Sequence, residues 1–522
     1  MNVPSLLAAL AALGHPPAAA NRPRLVLVIT VDQMRPDYLD RWKAQLTGGF
    51  SVLVAEGAVF SNAFQDHAVT ETAPGHASIL SGRWPAHTGI LRNDAGVGDS
   101  MAPLLETTGP GASPNRFRGT AFFDWLKVAD PRARALSVSR KDRGAILPIG
   151  RAKEAVFWYA NGLFTTSRYY ADTLPAWVKR FNALALPFKS AGTTWTLLLP
   201  DTAYKESDAE VYENGGKDYT FPHRLPPDSI RAAQAFTSVP LMDSVTLAFA
   251  VAGMDAMKLG KGDWTDVLSV SLSTTDAIGH AYGPDSREIH DQILRLDRYL
   301  DWFLEQVFKR VGRDNVDIVV TADHGVTPYP ERSRLRGHPE ATRVALDTLV
   351  RAENAALDQR TGGTSGDWLL FDTGMLFVKN RGRLVAAHVN IDSVLADFML
   401  RAKSVPGVGR VDRTADLAGA DTVADPAARR WLHQVGGVQD VVLVVTLQPW
   451  SIWGGSLIAM HGQPSDDDAH VPLIFWGKGF KRGVFANRAD AVDIAPTLAQ
   501  LLGLNALSIV DGRVLSECLE PR

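Results

Sequence analysis

RLVLVITVD, residues 24–32, is an almost unbroken apolar run, rich in β-branched residues, that ends on a carboxylate. A strand without polar alternation belongs inside a parallel sheet covered on both faces. NVDIVVTAD, residues 315–323, repeats the pattern and also ends on an aspartate. DVLSVSLST, residues 266–274, and VPLIFWG, residues 471–477, read as further strands. Between them, Ile289, Ile293, Leu296, Leu300, Phe303, Val307 and Val311 step by three and four, the period of an amphipathic helix. Asp285 with Glu288 resembles a capping box at its start, and Gly312 stands where a C-cap belongs. Residues 49–57 and 492–503 read as two more helices. Strands alternating with helices imply an α/β fold, a central and mostly parallel sheet flanked by helices. Ligands of such sheets bind at the carboxyl ends of the strands, where Asp32 and Asp323 both fall.

The chain has 522 residues, enough to bury a large core. Its 57 acids and 54 bases leave no global basic footprint for a nucleic-acid duplex. The single cysteine, Cys518, rules out an internal disulfide and a thiolate metal cluster. A metal site here must use His, Asp and Glu. The first twenty residues stand apart: SLLAALAAL at 5–13, followed by PPAAA, resembles a secretory signal, although no Lys or Arg precedes it. That run is too short to span a membrane, and no later run is long enough. The expectation is export to the periplasm or beyond; the other reading of this stretch is an Ala-rich tail. Two stretches, near 150–240 and near 330–450, break the strand–helix rhythm and read as insertions that roof the sheet edge, leaving 21–522 as one domain. Ala418 to Arg430 is small and polar and reads as a surface loop.

Four short motifs carry chemistry. In TDAIGH, residues 275–280, a helical turn puts Asp276 and His280 on one face, where they can share a divalent ion. Taken alone, the pair reads sooner as a capped helix with a satisfied histidine. In TADHG, residues 321–325, Asp323 and His324 offer two ligands from one strand end, or else a helix cap and an exposed ring. In ETAPGH, residues 71–76, Thr72 precedes a helix-like run with Pro74 in its first turn. A hydroxyl there sits where free N–H groups favour an anion, which is also the usual place of an N-cap threonine. In SRKDRG, residues 139–144, Lys141 and Arg143 are two apart, so an extended chain points both to one side. They can hold phosphoryl oxygens, or form a solvated basic turn.

Read together and in order, these pieces resemble the alkaline phosphatase superfamily. The branch is the one joining threonine-nucleophile bacterial alkaline phosphatases to nucleotide pyrophosphatase/phosphodiesterases. The ordered matches are the strand ending in Asp32, TAPGH, the asparagine of LRNDAG, TDAIGHAYGP, TADHG and HGQPSDDDAHVPLIFWG, and they cover nearly all of residues 24–522. The resemblance implies a single catalytic domain with an alkaline-phosphatase-like sheet, its insertions roofing the active site. It implies two zinc ions per chain, one on Asp276, His280 and His461, the second on Asp32, Asp323 and His324 with Thr72 beside it. His470 and Asp466 to Asp468 compete with His461, which the resemblance favours because His-Gly stands at the ligand's place.

Thr72 would be the nucleophile, passing through a phosphothreonine, and Asn93, Lys141 and Arg143 would hold the phosphate. Diesterase relatives keep the asparagine and lack the K-x-R pair. A monoester dianion carries one more negative oxygen, which extra cations reward in the transition state. The expected substrates are therefore small phosphate monoesters, in broad phosphate scavenging. The alternatives are a phosphodiesterase or nucleotide pyrophosphatase on the same metal core, and a non-catalytic metal-binding relic. A sulfatase would need a Cys or Ser where Thr72 stands, and phosphoglycerate mutases use a serine.

Overall fold

The computed structural model describes residues 22–364 and 366–521, so the apolar run at 5–13 lies outside the described residues. The central sheet has nine strands. In chain order they are β1 (Leu25–Val31), β2 (Ala58–Phe60), β3 (Ala135–Ser139), β4 (Ala155–Ala160), β5 (Leu163–Thr165), β6 (Asp266–Leu272), β7 (Val316–Thr321), β8 (Leu473–Trp476) and β9 (Gly483–Phe485). Their spatial order is β9-β2-β8-β7-β1-β6-β3-β4-β5. The run from β7 through β1, β6 and β3 to β4 is parallel, whereas β8 is antiparallel to both its neighbours and β5 to β4. The sheet is thus mostly parallel, as the apolar runs imply.

β1 sits at the centre, and every one of its residues is buried. Leu25, Leu27, Ile29 and Val31 join one apolar cluster, while Val26 and Val28 join another on the opposite face. Burial on both sides is why the strand reads as continuous Val, Ile and Leu. The first face is covered by two helices, Leu241–Met257 and Arg287–Val311. The second is covered by α1 (Thr72–Ser81) and by helix Ile494–Leu502. No single helix among the described residues is long and apolar enough to cross a membrane.

The long helix Arg287–Val311 ends at Gly312 as its sequence indicates, but its start differs from expectation. Ser286 is the N-cap and accepts from the Ile289 N–H. Asp285 instead pairs with Arg41 and Arg336, and Glu288 accepts from the His223 ring, so the long-range ion pairs outcompete a local capping box. The stretch near 150–240 begins inside the central sheet, as the β4–β5 hairpin. The stretch near 330–450 carries its own four-stranded sheet and apolar cluster. Within it, Pro426–Arg430 is not a loop but the first half of helix Pro426–Val435, with Pro426 in its first turn and Asp425 accepting from the Ala428 N–H. The helix forms because a partner waits for it: Arg429 and Arg430 both bond the buried carboxylate of Asp66 in the body.

Candidate active site

Three parallel strands, β7, β1 and β6, end side by side, and their carboxyl ends carry Asp323, Asp32 and the segment leading into α2 (Thr274–Tyr282). α2 holds Asp276 in its first turn and His280 one turn later. Their spacing places His280 Nε2 3.2 Å from Asp276 Oδ1. His461, from a loop almost two hundred residues on, brings its Nε2 to 3.5 Å from the same oxygen and 3.2 Å from His280 Nε2. On the other side of Asp276, His324 Nε2 lies 3.4 Å from Asp32 Oδ1 and 3.7 Å from Asp323 Oδ2.

α1 arrives at the same place by its N-terminus, with Thr72 as its first residue and Glu71 as its N-cap. Gly75 permits the approach, because a Cβ there would lie 2.2 Å from the Asp323 carbonyl oxygen. Lys141 links the pieces: its Nζ is 2.9 Å from Thr72 Oγ1, 2.7 Å from Asp276 Oδ2 and 2.6 Å from Asp32 Oδ2. Lys141 is extended, but the next residue starts a short helix, Asp142–Ile146, so Arg143 is not its neighbour along an extended chain. Asp142 Oδ1 accepts from the Arg143 N–H at that helix start, which bends the chain where extension was expected. Arg143 is half-buried, its Nε lacks a partner, and its charge reaches Glu71. Asn93 spends its side-chain oxygen on the Ala73 N–H at 2.9 Å, which leaves its NH2 as a donor.

The donor set fits divalent cations. Asp276, His280 and His461 form one group, and Asp32, Asp276 and His324 a second, with ligand atoms in each within 4.8 Å of one another. Each imidazole points Nδ1 at a backbone carbonyl: His280 at Ala459 (2.8 Å), His461 at Thr70 (2.7 Å) and His324 at Gly325 (2.9 Å). That arrangement fixes the tautomer and turns each Nε2 lone pair inward, as a metal ligand requires. Asp32 Oδ1, Asp323 Oδ2 and His324 Nε2 are buried without a hydrogen-bond partner. Buried polar atoms left open in this way are rare in proteins. Asp323 stands at the margin of the second group, with one oxygen accepting from the Gln33 N–H and the other 3.1 Å from His76 Nδ1.

Burial and the Asp276 charge push the Asp32 carboxyl up, but Lys141 and His324 outweigh them and hold it well below the usual carboxylate range. Asp276 behaves likewise: burial raises it, and Lys141 and His280 bring it well down. Burial, with His324 beside it, pushes His461 down to about 3, so that ring is neutral. His324 is pushed up to about 9, against burial, by Asp323 and Asp32. Lys141 and Arg140, whose Nη2 lies 3.9 Å from Asp276 Oδ2, thus face a cluster of three buried carboxylates, Asp32, Asp276 and Asp323.

His470 lies elsewhere, stacked on Phe64 with Nε2 3.2 Å from the Ser61 carbonyl. Asp466 pairs with Arg430 and Asp467 with Arg35, while Asp468 takes the Thr327 hydroxyl and the Gln463 N–H. These acids brace the His461 loop and do not enter the cluster. Two participants had no reading from sequence. His76 lies between Thr72 and Asp323, near the Thr72 carbonyl and the Ser271 hydroxyl; its i, i+4 spacing from Thr72 was the available signal. Gln33, at a φ of 65°, gives its N–H to Asp323 and its amide to Asp276.

A family model described as type I phosphodiesterase / nucleotide pyrophosphatase matches residues 26–388. The chain is 33% identical to alkaline phosphatase PhoV of Synechococcus elongatus, covering 97% of this chain and 94% of that protein. It is 31% identical to alkaline phosphatase PafA of Elizabethkingia meningoseptica, covering 96% and 95%. The crystal structure of PafA superposes with a TM-score of 0.87 at 29% identity, over 96% of this chain and 99% of PafA. A PafA variant changed at a threonine, an asparagine, a lysine and an arginine superposes equally, with a TM-score of 0.87 at 28% identity, over 96% of this chain and 99% of that chain.

Proposed function

The chain belongs to the type I phosphodiesterase / nucleotide pyrophosphatase family, within the alkaline phosphatase superfamily, and is an alkaline phosphatase acting on phosphate monoesters; from there we propose that it works through a phosphothreonine on Thr72 beside two zinc ions. Asp276, His280 and His461 would hold one ion, and Asp32, Asp323 and His324 would hold the other, beside Thr72. When bound, the ions supply positive charge that favours ionisation of a nearby hydroxyl and offsets charge on the transferring phosphoryl group. The observation that carries the reading is the position of Lys141, whose ammonium touches Thr72 Oγ1, Asp32 and Asp276 at once. Nucleophile and carboxylate cluster are therefore one site.

Thr72 is a weak nucleophile as an alcohol. The Lys141 ammonium donates to its oxygen, and a cation at that distance favours the alkoxide. The Thr72 proton passes to solvent; as the Oγ–P bond forms, the bond from phosphorus to the leaving oxygen breaks, and the departing alkoxide takes a proton from water. A water oxygen then attacks phosphorus, the P–Oγ bond breaks, the threonine hydroxyl is restored and inorganic phosphate leaves. Asn93, Lys141 and Arg143 hold non-bridging oxygens, and the two cations among them favour a monoester dianion over a diester. The PafA variant supports this reading, since its changed residues are of the same four types as Thr72, Asn93, Lys141 and Arg143. The apolar run at 5–13 supports export to the periplasm, and broad phosphate scavenging is the role that follows.

The test is steady-state kinetics on p-nitrophenyl phosphate and its bis ester, with zinc quantified in the same sample. We expect kcat/KM for the monoester to exceed that for the diester, with two zinc ions per chain. A preference for the diester would instead favour the nucleotide pyrophosphatase reading that the family model's description offers.

A further inference from the structure

We infer that Glu71 and Thr373 are positioning residues, through which the tip of a hairpin in the inserted sheet sets the geometry of Asn93 and so the affinity for the phosphoryl group. The inference rests on the reading of Asn93 as a phosphate-binding residue. Strands Leu369–Asp372 and Met375–Val378 pair antiparallel and turn through Thr373 and Gly374, whose φ values are 43° and 82°. A β-branched residue at positive φ is an outlier that only its surroundings can hold in place. Here the surroundings are the catalytic segments. The Thr373 hydroxyl is 2.9 Å from Glu71 Oε1, and Glu71 Oε2 accepts the Asn93 N–H at 2.7 Å. Asn93 in turn accepts the Ala73 N–H, next to Thr72. Beside this chain of bonds, Arg92 pairs with Asp372. The tip also packs on the loop of His461: a Cβ on Gly462 would lie 2.6 Å from Thr373 Cγ2.

The charge of Glu71 gives the inference its edge. A carboxylate one residue before the nucleophile opposes an anionic substrate by simple Coulomb repulsion. If charge were its whole effect, neutralising it would tighten phosphate. If it holds Asn93 and Thr373, an amide in its place must cost affinity, because a neutral oxygen accepts the Asn93 N–H more weakly than a carboxylate and the NH2 must reverse the bond to the Thr373 hydroxyl.

The experiment measures Ki for inorganic phosphate, KM and kcat for p-nitrophenyl phosphate, zinc content and melting temperature. For the isosteric Thr373→Val we expect Ki and KM to rise about tenfold, with kcat less affected, the scale of one hydrogen bond to a charged group. Zinc content and melting temperature should stay near wild type. Thr373→Ser should restore the affinity, and Glu71→Gln should weaken phosphate as Thr373→Val does. In an Asn93→Ala background Thr373→Val should have no further effect on Ki. Wild-type Ki in Thr373→Val, tighter phosphate in Glu71→Gln, or an undiminished Thr373→Val effect beside Asn93→Ala would each overturn the inference. Should Thr373→Val fail to fold, the Glu71→Gln measurement decides alone. An unchanged Ki in Asn93→Ala by itself would remove the Asn93 reading, and the hairpin inference with it.

Discussion

Thr72 shares its neighbourhood with buried carboxylates and imidazoles several of whose ligand atoms have no hydrogen-bond partner, which is the residue-level signature of a site built for metal. Replacing Thr72 by alanine should lower kcat by roughly three orders of magnitude or more, the scale seen when a nucleophile is removed. Zinc content should stay near wild type, because six other side chains remain; a variant that keeps near-full turnover would dismiss Thr72 as nucleophile. Changing Lys141 and Arg143 together to alanine should harm monoester hydrolysis more than diester hydrolysis, by about a hundredfold in the monoester kcat/KM. Equal losses on both substrates would remove the specificity argument. Most of these residues were legible because each is adjacent to a segment with its own local signal: a strand end, a helix start or a His-Gly turn. His76 and Gln33 were not, because their partners, Ser271, Asp323 and Asp276, are distant in sequence.

Among elements, helix Pro426–Val435 shows how the inserted sheet is tied to the body. Asp66 is buried and meets Arg429, Arg430 and Arg488, and it lies 3.3 Å from His433 Nδ1. Burial raises the Asp66 carboxyl, but His433 and the arginines outweigh it and hold the group well below the usual range. A carboxyl depressed in the folded state contributes stability that is present above its unfolded pKa of about 3.9 and is lost as pH falls below that value. Asp66→Asn should therefore lower stability at neutral pH by about 3–5 kcal/mol, the cost of breaking a buried pair. The difference from wild type should shrink in thermal melts taken from pH 5 down to pH 2. A difference that does not change with pH would assign the loss to packing. The first half of the helix, Pro426–Arg430, reads as loop from sequence because it continues the small and polar stretch before it, although its Ala and Arg residues favour a helix; the contact that anchors it, Arg430 with Asp66, spans 364 residues.

For the whole molecule, metal and fold should be coupled, since the candidate ligands come from four segments between Asp32 and His461. Chelation should abolish activity and also lower the melting temperature. At free zinc a hundredfold above Kd, each ion that binds only the folded state adds about 2.7 kcal/mol. Re-addition of zinc should restore both readouts. Loss of activity with an unchanged melting temperature would mean that the folded state does not bind the ions in preference to the unfolded chain, and would remove the coupling.

The sequence by itself determined the sheet, because a strand buried on both faces must be apolar at every position, and a carboxylate ending such a strand marks the sheet's ligand edge. It also determined which residue types were available there. Only the tertiary structure decided which of them meet. The convergence of Asp32, Thr72, Lys141, Asp276, His324 and His461 depends on the parallel register of three strands and on a glycine at position 75 close enough to touch a neighbouring backbone. Contacts between residues hundreds of positions apart leave no local period or propensity to read, so the roof's grip on Glu71 and Asn93 exists only once the chain has folded.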